Sequence, residues 1–149
     1  MRKTTAIFTG LIVAFAFSAN AAPLDVAGLW LTQSGTGHVK IADCGDGTPC
    51  GKLVWIEGPD AAAQRDNNNP DTTLRDQPIV GLQLLWGFKE RSSNWAKGKI
   101  YSPEKGKTYR STIKLMDENT LQVKGCVGPF CQAQTWTRVE PMTAVGGQP

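Results

Sequence analysis

From residue 28 onward, apolar and polar residues alternate in short runs separated by turn residues. Residues 107–116 show the period of two most clearly: Tyr109, Ile113 and Leu115 fall on one face, Arg110, Thr112 and Lys114 on the other. Residues 120–125 repeat it with Leu121 and Val123 inward. Residues 28–34, 38–43, 94–101 and 132–139 read as further strands. In residues 52–57, Leu53 and Trp55 alternate with Val54 and Ile56, which describes a strand covered on both faces. Residues 79–88 place Leu82, Leu84, Trp86 and Phe88 on a single face. Ser34-Gly35-Thr36-Gly37, Ser102-Pro103-Glu104-Lys105-Gly106 and Asp117-Glu118-Asn119 supply the turns. No stretch after residue 28 carries the 3.6-residue period of an amphipathic helix. The pattern predicts an all-β domain of about eight short antiparallel strands, either a sandwich or an up-and-down barrel.

Gly28-Leu29-Trp30 on the first strand is matched by Trp136-Thr137-Arg138 on the last. An open sandwich has sheet edges to protect, whereas a closed barrel has none. A Trp on the first strand facing an Arg on the last therefore favours closure into a barrel. Trp136 and Arg138 share a strand face, so only one can plug the barrel against Trp30. Arg138 is the expected partner, with Trp136 covering its neighbour.

Residues 1–21 are predicted to be a cleaved signal peptide. Arg2 and Lys3 form a basic start, residues 7–17 an apolar run, and Ala19-Asn20-Ala21 a small-x-small cleavage site. The apolar run is shorter than the ~20 residues of a membrane span. Cleavage after Ala21 leaves 128 of the 149 residues, 22–149, as one exported domain destined for a bacterial periplasm or the medium. Loss of Arg2 and Lys3 reduces the 16 basic residues to 14, against 13 acidic ones. These are scattered rather than striped, which argues against a nucleic-acid partner.

Four cysteines in an exported chain predict two disulfides, with three possible connectivities. Cys44 and Cys50 flank Gly-Asp-Gly-Thr-Pro, and Cys126 and Cys131 flank Val-Gly-Pro-Phe, so each pair sits astride a turn. The local pairs Cys44–Cys50 and Cys126–Cys131 are favoured, each loop contributing about 2 kcal/mol in the chain-entropy model. Four thiolates around one zinc have the wrong spacing and the wrong compartment.

Several stretches together resemble the bacterial domain of unknown function 2147 family. They are Gly28-Leu29-Trp30, His38-Val39-Lys40-Ile41-Ala42-Asp43-Cys44, Cys50-Gly51-Lys52-Leu53-Val54-Trp55, Asn69-Pro70-Asp71, Leu74-Arg75-Asp76, Gly98-Lys99-Ile100-Tyr101 and Thr135-Trp136-Thr137-Arg138-Val139. Gly28-x-Trp30 with Arg138 on the final strand also looks like the closing signature of the lipocalin and calycin superfamily. That resemblance implies a small exported lipocalin-like barrel, with the Arg packed across the Trp face at the closed end. It implies no established activity and carries over no catalytic residues.

Residues 58–78 interrupt the strand rhythm, and a loop of that length in a small domain is usually functional or disordered. Asp66, Asn69, Asp71, Arg75 and Asp76 are its candidate recognition residues, with Arg75 able to fork onto a carboxylate or phosphate. The competing reading is that Arg75 pairs with Asp71 or Asp76 while Asn and Asp side chains cap the loop's own turns. Asp66, Asn68 and Asp71 are also hard ligands for calcium. Pro70, however, stands where a calcium loop needs Asp or Asn, and the Gly and distal Glu are missing, so no metal or other cofactor is expected. His38 is the only histidine and reads as an ordinary strand residue; nothing brings Glu57, Glu90 and Glu104 together as a catalytic pair. No catalytic constellation emerges.

Trp55, Leu82, Leu84, Trp86 and Phe88, together with Trp95, are the candidate interior wall. A small barrel either encloses one small molecule or is filled by its own side chains. The leading expectation is a non-enzymatic binder of a small apolar or amphipathic ligand. The second is an interaction or inhibitor module that meets an envelope or extracellular protein through residues 58–78 and the outer surface. A hydrolase of envelope material using the loop carboxylates comes third.

Overall fold

The structure, a computed structural model, describes residues 25–139. The predicted signal peptide and residues 140–149 lie outside that range. Nine strands follow one another: β1 (Gly28–Leu31), β2 (Gly37–Asp43), β3 (Pro49–Ile56), β4 (Gln83–Trp86), β5 (Lys89–Glu90), β6 (Trp95–Ser102), β7 (Lys107–Asp117), β8 (Thr120–Val127) and β9 (Phe130–Arg138). Every pairing is antiparallel. β4 pairs with both β3 and β6, and β1 pairs with β9, so eight strands close on themselves while β5 merely extends the β6 edge. The expected barrel is thus the observed one.

The core follows from the alternation. Val39 and Ile41 of β2, Ile113 of β7, and Leu121 and Val123 of β8 are all buried. Leu121 stands opposite Trp136 and Val123 opposite Ile113, so inward residues from neighbouring strands meet in layers. Phe88 fits into this core because residue 98 is a glycine: a Cβ there would collide with the Phe88 ring. Both disulfides are the local ones, Cys44–Cys50 across the β2–β3 turn and Cys126–Cys131 across the paired ends of β8 and β9.

Two bulges overturn part of the predicted interior. Opposite β2, His38 pairs with Trp55 and Val39 with Leu53, so β3 carries one extra residue at Val54. The phase of alternation flips there. Leu53 stays inside, while Trp55 is turned out beside His38, 42 % exposed, with ring centroids 4.5 Å apart. In β4, Leu85 faces Gly51 and Gln83 faces Lys52, making Leu84 the extra residue. Leu84 and Leu85 are therefore both buried and Trp86 is only half-buried. A strict period of two could not produce either result. The run read as a strand from residue 79 also begins later, because residues 79–82 still belong to the loop.

Candidate functional site

The two ends of the barrel are built differently. At one end, strand β1 begins at Gly28, whose φ of +142° and closeness to Arg138 both demand glycine; a Cβ would run into the guanidinium. The Arg138 guanidinium lies 4.2 Å from the Trp30 ring centroid and donates to the carbonyls of Ala27, at 2.8 Å, and Glu118. Trp30 is fully buried and its Nε1 donates to the Val26 carbonyl at 3.0 Å. Trp95 donates from Nε1 to Asp25 Oδ1 at 3.0 Å. This end is shut.

The other end is open. The hairpin at residues 32–36, the loop at 57–82, the β6–β7 turn and the β8–β9 turn surround a cavity of about 950 Å³. Leu53, Leu84, Val123 and Trp136 form its apolar floor. Above them β9 contributes Gln134 and Gln132, then Phe130, all at the two-residue spacing of an inward face. Register fixes their heights: Gln134 is level with Val123, Gln132 with Gly125, and Phe130 with Val127 at the lip. Gln64, Arg65, Asn67 and Asn68 line the mouth from the loop side, and Glu104 and Lys105 from the β6–β7 turn. A volume of this size holds a drug-sized molecule, and an apolar floor beneath a polar mouth suits an amphipathic one.

The loop is held in place by one carboxylate. Asp66 is fully buried and accepts hydrogen bonds from the Tyr101 hydroxyl at 2.7 and 2.9 Å, Asn69 Nδ2 at 2.7 Å and Gln77 Nε2 at 3.2 Å. Burial, and then the bond to the Asp66 carboxylate beside it, push the Tyr101 phenol up to about 12. Asn68 Nδ2 donates to the Glu104 carbonyl at 2.8 Å, which ties the same stretch to the β6–β7 turn. Asp71 caps a short 3₁₀ turn at Thr72–Leu74, accepting from the Thr73 amide at 2.9 Å and hydroxyl at 2.7 Å. The Thr73 hydroxyl, and next its amide, hold the Asp71 carboxyl below the usual range. Arg75 Nε donates to the Asn69 carbonyl at 2.8 Å.

Of the predicted interior residues, the cavity wall takes in Leu84. Phe88 is buried in the solid core, Leu82 packs against that core, Trp86 is half-buried and Trp55 is outside. Of the loop candidates, Asp66 and Asn69 are buried supports, while Asp71, Arg75 and Asp76 are exposed and away from the lining. The cation that the loop brings to the mouth is Arg65 rather than Arg75, because residues 64–68 cross the opening and 71–76 lie beyond it. Glu57 and Glu104, which the sequence alone did not bring together, both reach the lining. Among the lining residues that the sequence reading did not assign to the site are Gln132, Gln134 and Trp136 of β9. Their signal was present, since an inward Trp136 places 134, 132 and 130 on its own face.

A family profile described as an uncharacterized protein conserved in bacteria (DUF2147) matches residues 28–138. No curated protein matches the chain. Among solved structures, the fold is similar to that of a protein from the human pathogen Helicobacter pylori, described as belonging to the lipocalin family. The TM-score is 0.69 at 20 % identity, covering 77 % of this chain and 83 % of that one.

Proposed function

The chain belongs to the bacterial DUF2147 family, and from that premise we propose that it is an exported protein that binds a small apolar or amphipathic molecule in its barrel. The observation that carries this reading is the cavity of about 950 Å³, with Leu53, Leu84, Val123 and Trp136 beneath a polar mouth. Apolar ligand surface moved onto that floor gains roughly 25 cal/mol per Å² removed from water. The stretch 64–68, pinned by Asp66, shapes the entrance through which the ligand passes. The protein is assigned no catalytic role: its one histidine, His38, packs against Trp55 on the outward face of β2 and is not part of the cavity lining.

Titration with fluorescent fatty acids and an envelope lipid extract tests the proposal, read by ligand fluorescence and by the change in intrinsic Trp emission. Saturable binding that is weakened by filling the floor with Val123→Trp supports it. Absence of any retained ligand would sink it. Export is supported by the leader-like residues 1–21 and by two disulfides. Mass spectrometry of the native protein should find Ala22 at the N-terminus, and an intact Met1 would refute this.

One observation favours a second reading, a protein-interaction module. Val127 and Phe130 are 63 % and 80 % exposed on a disulfide-clamped hairpin, and exposed apolar tips of this kind mark contact sites. Phe130→Ser should abolish binding of a protein partner and, because Phe130 stands only at the lip of the cavity, lower ligand affinity by less than threefold.

A further inference from the structure

The wall of the cavity is graded in polarity but not in charge. All four charged residues of the lining, Glu57, Arg65, Glu104 and Lys105, belong to the mouth, outside the strands. They are two of each sign, so the mouth carries no net charge to favour an ionic group of either sign. Arg65 is further committed, its guanidinium donating to the carbonyls of Ala62 at 2.9 Å and Gln64 at 3.2 Å. Below the mouth, the polar groups that β9 turns inward are two carboxamides. Gln134 Oε1 accepts from Trp136 Nε1 at 2.9 Å, which leaves its two N–H donors for a guest. Gln132 stands opposite Gly125, where no side chain shields it.

We infer that the cavity selects amphiphiles whose polar part is uncharged and rich in hydroxyl or amide groups over those with an ionic head. A carboxamide presents donors and an acceptor together, the complement of a hydroxyl or amide that is itself both. An ion drawn to the level of Gln132 and Gln134 would lose hydration and find no opposite charge at that depth. Acylglycerols and alkyl glycosides have the required chemistry; a fatty acid or an alkylammonium does not. This inference rests on the cavity being the ligand site proposed above.

The test is displacement of N-phenyl-1-naphthylamine, an uncharged apolar probe, by four compounds sharing a twelve-carbon chain, each below its micellar concentration. They are dodecanoate, dodecyltrimethylammonium, monododecanoylglycerol and dodecyl glucoside. The two uncharged compounds should displace the probe at concentrations at least tenfold lower than the two ionic ones. Gln132→Leu, at an exposed position, should reduce that preference to under threefold, and Gln134→Leu should act in the same direction. Dodecanoate binding as well as the uncharged pair would overturn the inference while leaving the ligand-binding reading intact. So would a preference that survives both substitutions. Failure of the probe and all four compounds to bind would remove the ligand-binding reading and this one with it.

Discussion

The two ends of this barrel use the same strand, β9, for opposite purposes. Toward the closed end it presents Trp136 and then Arg138, and toward the mouth Gln134, Gln132 and Phe130. At the closed end every polar atom of Arg138 and Trp30 described above has a partner in the chain and the apolar surface is buried. At the mouth, carboxamides face an open lumen and Phe130 is 80 % exposed. Alternation gives both ends an inward row; which residues occupy the row decides whether it becomes a plug or a wall. Stability and recognition are consequently separable along one strand.

The sharpest way to break that separation is at the plug. Trp30→Ala should cost about 3–5 kcal/mol in denaturant unfolding, as for other buried aromatic truncations. Arg138→Ala, which removes the cation–π contact and two hydrogen bonds, should cost about 2–3 kcal/mol. Probe affinity of the folded Arg138→Ala protein should stay within twofold of the parent. Unchanged stability with lost binding would show that the plug and the site are one unit.

Between the two ends in expected effect is Asp66→Ala. It leaves the Tyr101 hydroxyl and the amides of Asn69 and Gln77 without their acceptor, at a cost of about 2–4 kcal/mol. The loop at 57–82 should become the first site of limited proteolysis, and probe affinity should fall because residues 64–68 no longer hold the mouth. A variant as protease-resistant as the parent would exclude Asp66 as the pin.

A smaller effect is expected in alkali. In the unfolded chain Tyr101 titrates near its ordinary 10, whereas in the folded protein it is pushed up to about 12. The folded state therefore keeps a proton that the unfolded state releases. The stability this contributes is complete below pH 10 and declines as pH rises toward 12. Urea midpoints between pH 9 and 11.5 should fall less steeply for Tyr101→Phe than for the parent; equal slopes would rule out this origin. Smallest of all, Asp71→Ala and Asp76→Ala should leave probe affinity unchanged. A loss beyond threefold would extend the site along the far half of the loop.

How much of this was legible in the sequence depended on whether a period persisted. β7 and β8 keep a strict alternation through their cores, and Ile113, Leu121 and Val123 stand inside as read. The closing pair was legible because a Trp and an Arg at the two ends of a barrel have few other reasons to match. Trp55 and Trp86 were not, because single-residue bulges at Val54 and Leu84 reverse the phase, and nothing in the local sequence distinguishes a bulge from a continuing strand. In the loop, residue types correctly announced hydrogen-bonded turns. Which residues would reach the opening depended on Tyr101 and the β6–β7 turn, more than 30 positions away. The lining Gln residues were hard to read because a carboxamide that faces a lumen has the same alternating pattern as one that faces solvent.

The closure of β1 on β9 has one more consequence. The seam rests on two residue pairs, Trp30 with Arg138 and Leu31 with Thr137, against eight between β8 and β9. Val139 N donates to the Leu29 carbonyl at 2.8 Å, so the two ends of the described chain run side by side. The order in which the strands are written is thus a convention of synthesis rather than of architecture. A circular permutant joined across the seam and opened at the Gly45–Gly47 turn would keep every rung of the ladder. In native-state hydrogen exchange, the few amides of the seam should lose protection before those of the β8–β9 ladder.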